Sequence, residues 1–139
     1  MALEMRSTCE ICATGFTPGG RAPGRVDSGE AGPLPLFAYL IRPTRTDMLA
    51  AGPTPAEADV VRRHYEYLRG LATAGTVILA ARTLTTDESN FGTVVLHAHD
   101  EAAARVLLER DPAVAGRVMR SELFPYRTAL WGEFDRATI

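Results

Sequence analysis

Between residues 34 and 130 the sequence alternates short apolar runs with two helical segments, in the order strand, helix, strand, strand, helix, strand. The runs typical of strands are residues 34–42, 76–84, 91–97 and 118–130. A polar stretch separates the second run from the third and predicts a hairpin. This order is that of the ferredoxin-like β-α-β-β-α-β unit, in which two helices cover one face of a four-stranded antiparallel sheet. The predicted fold class is therefore α+β.

The first helical segment has clear signals at both ends. Thr54 is a favourable N-cap, Pro55 suits the first turn, Glu57 completes a capping box, and Gly75 is a typical helix terminator. These signals predict a helix over residues 55–74. Its predicted apolar stripe consists of Val61, Leu68, Leu71 and Ala72. The second helix is predicted to begin after Asp100 and to end at Asp111-Pro112.

Both strands of the predicted hairpin are apolar on both of their faces. The alternating sets are Val77, Leu79 and Ala81 against Ile78 and Ala80, and Val94 and Leu96 against Val95. Two helices can cover only one face of the sheet, so the other would expose an apolar patch on the order of several hundred Å². We expect a second copy to bury this face, giving a C2 homodimer with the architecture of a dimeric α+β barrel.

Composition and charge exclude several classes of protein. Hydrophobic residues make up 46% of the chain and charged residues 23%, which is typical of a globular protein. The formal net charge of −2 leaves no basic surplus, so nucleic acid is not expected as a partner. No apolar stretch is long enough to span a membrane, and the N-terminus does not resemble a signal peptide. A cytoplasmic location is expected.

The first 33 residues are rich in glycine and proline and show neither helical nor strand periodicity. They are predicted to be a disordered or loosely attached tail, followed by one α+β domain over residues 34–139. Cys9 and Cys12 lie in this tail and could form a redox pair or half of a zinc site. Glycines and a proline follow them where a redox motif would need a helix, which favours two incidental thiols.

His64 lies on the apolar stripe of the first helix, three residues after Val61 and four before Leu68. It is either a core histidine with satisfied nitrogens or a general acid/base, since the unperturbed pKa of histidine lies near neutrality. Asp111 ends the second helix, where the helix dipole disfavours a carboxylate. Asp followed by Pro is also a good N-cap and first-turn pair. The residues alone leave these alternatives open.

From Phe37 to the last strand the chain resembles the YCII-related domain family, in its subgroup with a long first loop. The resemblance is carried, in order, by Arg42-Pro43, Gly52-Pro53-Thr54, His64-Tyr65-Glu66-Tyr67-Leu68, Gly75-Thr76-Val77, Phe91-Gly92, Glu101-Ala102-Ala103, Asp111-Pro112-Ala113-Val114 and Pro125-Tyr126-Arg127. It implies a dimeric α+β barrel with a cleft between helices and sheet, in which His64 and Asp111 form an acid/base pair. The N-terminal tail has no counterpart.

The predicted function is that of a small-molecule enzyme, a cofactor-independent lyase, isomerase or hydrolase, in which His64 transfers a proton and Asp111 orients it. The alternative is a non-catalytic ligand-binding or accessory domain in which the two residues form a buried structural pair. The chain has no Gly-rich phosphate loop and no Gly-x-Ser-x-Gly motif, which disfavours nucleotide-dependent and serine-hydrolase chemistry.

Weaker signals concern substrate contacts and metal. Ala81 stands where many relatives have glycine, and the neighbouring Arg82 is either an anion contact or an exposed charge at a strand end. Tyr126 is the other candidate substrate contact, although it could pack on the dimer seam with Trp131 and Phe134. His97 and His99 alternate as metal ligands would, but no acidic third ligand is suitably spaced, so no metal site is expected.

Overall fold

The computed structural model describes residues 33–133 and contains a four-stranded sheet with four helices in that range. The strands are β1 (Leu36–Pro43), β2 (Val77–Arg82), β3 (Gly92–His97) and β4 (Met119–Tyr126). The helices are α1 (Asp47–Ala50), α2 (Pro55–Thr73), α3 (Glu101–Arg110) and α4 (Pro112–Ala115). The predictions for the N-terminal tail, for Cys9 and Cys12 and for Phe134 lie outside the described residues.

The strands lie in the order β2-β3-β1-β4, and all three pairings are antiparallel. This is the order of a ferredoxin-like sheet, so the predicted α+β class and topology are confirmed. The predicted last strand was too long, because β4 ends at Tyr126 rather than at residue 130. Tyr126 is paired with Leu36, the first residue of β1, so the ladder has no partner beyond it.

Helix α2 has the predicted ends within one residue. The Thr54 side chain accepts a hydrogen bond from the Glu57 backbone N–H at 3.2 Å, and the Glu57 carboxylate accepts from the Thr54 N–H at 2.8 Å. At the other end Gly75 has a φ of +78°, and the Gly75 and Thr76 N–H groups donate to the carbonyls of Ala72 and Leu71. These two bonds form a Schellman motif, for which glycine is the preferred residue.

Helices α2 and α3 pack on one face of the sheet. The core between them combines inward-facing strand residues with one stripe from each helix: Phe37, Tyr39, Ile41, Val94, Leu96, Leu68, Ala104 and Leu108. The predicted α2 stripe was partly wrong, because Ala72 is exposed whereas Leu71 is half-buried. The helix face directed at the sheet contains His64, Leu68 and Leu71. Ala72 lies at the exposed edge of this face.

The opposite face of the sheet carries an apolar row across all four strands. Cross-strand partners share a face, so the register places Leu79, Val95, Ala38 and Phe124 side by side. Leu79 is 53% and Phe124 41% exposed. Edge strand β2 is buried only at Val77. The row is thus exposed at its two edges, whereas Ala38 and Val95 between them are each 6% exposed.

The segment between β1 and α2 contains the single turn α1. Arg45 attaches this segment to α2 by donating from Nε to the Glu57 carboxylate at 2.9 Å and from Nη2 to the Gly52 carbonyl at 3.2 Å. A helix of four residues is too short to show periodicity in a sequence.

Every helix within residues 33–133 is too short or too polar to cross a membrane.

Candidate acid/base site

Side chains from three elements meet beneath α2. His64 Nδ1 lies 2.7 Å from Asp111 Oδ1 and 2.8 Å from Oδ2. The Tyr39 hydroxyl, from β1, donates to Asp111 Oδ2 at 3.0 Å. Asp111 has no exposed surface, Tyr39 is 1% exposed, and the His64 side chain is 13% exposed. The structure therefore brings the two predicted catalytic residues into direct contact and adds a buried tyrosine.

The position of Asp111 follows from the helix boundary at which it lies. It is the C-cap of α3 and the N-cap of α4, with extended backbone angles of φ −61° and ψ 122°. Its Oδ1 accepts a hydrogen bond from the Ala113 N–H at 2.9 Å, and Pro112 occupies the first turn of α4. The N-cap interpretation of the Asp-Pro pair is therefore confirmed. The carboxylate caps α4 while also binding the two side chains.

Two of the three contacts of the Asp111 carboxylate have a defined donor. Burial raises the pKa of Tyr39 far above its usual range, and the negative charge of Asp111 raises it further, so the hydroxyl stays protonated and donates. The Ala113 N–H can only donate. If the Asp111 carboxylate is ionised, it can only accept, and His64 Nδ1 then carries the hydrogen. A neutral His64 therefore has its lone pair on Nε2.

His64 Nε2 is the ring nitrogen that remains available. It makes no hydrogen bond to any residue of 33–133, where no buried side-chain nitrogen or oxygen lacks a partner. A neutral imidazole held through Nδ1 and open at Nε2 can accept a proton from a bound molecule.

Tyr67 supports this arrangement from the next turn of α2. Its hydroxyl donates to the Leu107 carbonyl of α3 at 2.8 Å. Burial raises the pKa of Tyr67, and the charge of Asp111 adds to the effect. This bond joins α2 to α3 one turn beyond His64, which restrains the distance between the helix that carries His64 and the helix that ends at Asp111.

The two candidate substrate contacts lie apart from the pair. Arg82 is exposed at the end of β2 and lines a cavity of about 480 Å³. His64 and Asp111 are not among the residues that line it, although Val61, one turn before His64, is. Tyr126 is 47% exposed and is paired with Leu36 on the sheet face opposite the core. Their roles stay predictions.

The two remaining histidines are separate from this site. His97 Nδ1 lies 3.2 Å from the Leu34 carbonyl oxygen, and His99 is exposed after β3. In the part of the chain that the structure describes, no group of three side chains is arranged as metal ligands.

Tyr39 is the member of the site that the sequence analysis missed. Its neighbours on the inward face of β1 are Phe37 and Ile41, so the residue looks like one more core aromatic. The available signal was the hydroxyl itself, because a buried tyrosine oxygen requires a polar partner. Among inward-facing positions of the sheet and helices, Asp111 and His64 were the polar candidates.

Comparisons with known proteins bear on the fold and the family. One solved structure, 5-chloro-2-hydroxyhydroquinone dehydrochlorinase (TftG) from Burkholderia phenoliruptrix AC1100 in complex with 2,5-dihydroxybenzoquinone, matches with a TM-score of 0.49 at 15% identity. The alignment covers 66% of this chain and 93% of that chain. No curated protein matches. The model of the YCII-related domain family matches residues 36–127, from the start of β1 to just beyond β4. The protein belongs to the YCII-related domain family.

Proposed function

We propose that the protein is a small-molecule enzyme in which His64 is the general base and Asp111 orients it. The observation that carries the proposal is the hydrogen bond from His64 Nδ1 to the buried Asp111 carboxylate, which leaves Nε2 open. A histidine whose second nitrogen is held by a carboxylate is the arrangement of many acid/base catalysts. Proton transfer of this kind requires no metal and no redox cofactor.

The chemistry follows from the two nitrogens. Nε2 takes a proton from an activated C–H or O–H of the substrate, and the ring becomes an imidazolium. The Asp111 carboxylate stabilises this cation through the Nδ1–H and keeps the ring in position. Return of the proton to another atom of the substrate completes an isomerisation, whereas its transfer to a leaving group completes an elimination. In a hydrolysis, Nε2 would take a proton from water as the water oxygen attacks an electrophilic carbon of the substrate, and the imidazolium would return that proton to the departing group as its bond to this carbon breaks.

A second candidate function is that of a non-catalytic ligand-binding or accessory domain. The observation that favours it is the complete burial of Asp111, which accepts hydrogen bonds from β1, α2 and α4. A network that joins three elements has a structural use even without turnover. In this case His64 would be retained for its bond to Asp111 and not for its free Nε2.

The variant His64→Gln separates these functions. A glutamine amide is not a base near neutral pH, so the substitution removes the proton acceptor. We expect the wild-type protein to catalyse the exchange of activated C–H protons of small carbonyl compounds in D2O. The loss of the substrate's proton NMR signals measures the exchange rate. We expect His64→Gln to lower the exchange rate by roughly 10²-fold or more, since general-base catalysis contributes that much.

The matched control is His99→Gln, which removes an exposed imidazole outside the site. It should exchange at the wild-type rate. If His64→Gln exchanges as fast as the wild type, His64 is not the base. If the wild type shows no exchange and His64→Gln loses several kcal/mol of unfolding free energy in urea, the structural alternative gains support.

We also propose that the open sheet face is buried in a homodimer. The row across the four strands ends in Leu79 and Phe124, which are 53% and 41% exposed. We expect light scattering to give a dimer for the wild type and a monomer for Phe124→Glu, because a charge within an apolar interface is costly to bury. Val106→Glu is the control, since Val106 is 43% exposed but lies on α3. A monomeric wild-type protein would contradict the proposal.

A cytoplasmic location and the lack of a nucleic-acid partner stay predictions from the sequence. The formal net charge of −2 supports the second of them. Cell fractionation and a filter-binding assay with duplex DNA would test the two.

A further inference from the structure

The cavity at Arg82 has a size and a lining suited to a small molecule. It lies between the segment that follows β1, the first turns of α2 and the loop that joins β2 to β3. Its volume of about 480 Å³ falls within the range of ligand pockets, roughly 300–1,000 Å³. The residues that line it are mostly apolar or hydroxyl-bearing: Met48, Leu49, Pro53, Val61, Leu84 and Thr86 among them.

Arg82 is the one charged residue among those that line this cavity. It forms no ion pair with any acidic side chain of residues 33–133, whereas Arg45, Arg62, Arg63 and Arg105 each do. A guanidinium presents a planar fork of donors that matches a carboxylate and binds it through two parallel hydrogen bonds. A single positive charge in an apolar wall therefore selects a monoanion with an apolar body.

Val61 of α2 is the residue that relates the cavity to the acid/base pair, since neither His64 nor Asp111 lines it. Val61 lines it, and His64 follows Val61 by three residues on the same helix face. Side chains at this spacing are neighbours, about 5–6 Å apart at their Cβ atoms. A molecule whose carboxylate is bound by Arg82 and whose apolar body lies along Val61 extends toward His64.

The segment between β1 and α2 forms one wall of the cavity and is held in place by an ion pair. Arg45 binds the Glu57 carboxylate and the Gly52 carbonyl, and Gly52 is among the lining residues. The hydrogen bond to Arg45 holds the pKa of Glu57 down at about 2, and the Thr54 N–H adds to the effect. Glu57 therefore stays ionised at neutral pH, and the wall is attached to α2.

We propose that this cavity binds the substrate, and that the substrate is a small carboxylate with an apolar body whose anionic group is bound by Arg82. The inference rests on the proposed acid/base function, since it names the class of molecule that His64 would deprotonate. Arg82 is then a substrate-binding residue that acts on affinity, and His64 is the residue that acts on the proton.

Binding of two matched probes tests the inference on the full chain. The probes are 4-fluorobenzoate and 4-fluorobenzyl alcohol, which share the ring and differ in charge, and binding is followed by fluorine NMR. We expect the wild type to bind the benzoate more tightly than the alcohol. Arg82→Gln should weaken the benzoate by about tenfold or more and leave the alcohol unchanged, as loss of a charge-assisted hydrogen bond requires.

Two further variants complete the design. Arg69→Gln removes an exposed arginine of α2 that does not line the cavity, and it should bind both probes as the wild type does. Ala58→Trp places an indole at an exposed lining position and should exclude both probes. Thermal unfolding of each variant verifies that it is folded.

The inference is overturned if the wild type binds no benzoate, if both probes bind equally, or if Arg82→Gln binds the benzoate as the wild type does. Its failure is distinguishable from failure of the acid/base proposal, because His64→Gln should keep benzoate affinity while losing proton exchange. If His64→Gln loses proton exchange, His64 remains the proposed base. If Arg82→Gln at the same time binds benzoate normally, the carboxylate site at Arg82 is rejected.

Discussion

Replacing Asp111 by alanine is expected to destabilise the protein far more than the loss of a helix cap would. The substitution removes the N-cap of α4, worth about 1 kcal/mol. It also leaves the Tyr39 hydroxyl and the His64 Nδ1–H without their acceptor in a buried site, at a cost of about 1–3 kcal/mol each. The substitution also removes the desolvation cost of the buried Asp111 carboxylate, which offsets part of this sum. We expect a net loss of about 3–5 kcal/mol, as for other broken buried pairs.

The measurement is urea unfolding followed by far-ultraviolet circular dichroism at one fixed protein concentration. A loss of this size lowers the midpoint by roughly 2 M urea for a small protein. Asp100→Ala is the matched control, because Asp100 caps α3 through the Ala103 N–H at 2.7 Å but is exposed. It should cost only about 1 kcal/mol. Equal losses for the two variants would refute the buried network and leave Asp111 as an ordinary cap.

Two further expectations follow from the same contacts. Tyr39→Phe should lower the unfolding free energy by about 1–3 kcal/mol, less than the loss of Asp111, because only one hydrogen bond to the carboxylate is removed; an unchanged urea midpoint would contradict this. The pKa of Glu57 is about 2 in the folded protein against an ordinary 4.5, so its contribution to stability is complete above pH 4.5 and is lost as the pH falls toward 2. Arg45→Gln should flatten the fall of Tm in that interval, and an unaltered pH profile would show that the ion pair does not hold the Glu57 pKa down.

The elements with local signals could be predicted from the sequence. The capping box at Thr54 and the glycine after α2 set both ends of that helix within one residue, because caps depend on residues only a few positions apart. Strand ends were less certain. The apolar run continues past Tyr126, but a strand ends where its partner ends, and β1 begins at Leu36.

The site could be predicted only in part. His64 was unusual on an apolar stripe, and the family resemblance paired it with Asp111, from which it is 47 residues distant in the sequence. Neither signal indicates Tyr39, which is 72 residues from Asp111 in the sequence but donates a hydrogen bond to its carboxylate. The sequence also could not show which nitrogen of His64 is free, because this depends on which donors surround the Asp111 carboxylate.

Periodicity, caps and residue order are local properties of the chain, and they were enough to specify the α+β class, the order of the strands and the helix face on which His64 lies. The tertiary structure decided the rest. It brought the Tyr39 hydroxyl, His64 Nδ1 and the Ala113 N–H to the Asp111 carboxylate, left Nε2 of His64 without a hydrogen-bond partner among residues 33–133, and placed Arg82 in the wall of a cavity that Val61, one helical turn before His64, also lines. These features depend on contacts between residues far apart in sequence, and such contacts exist only after the helices have packed on the sheet.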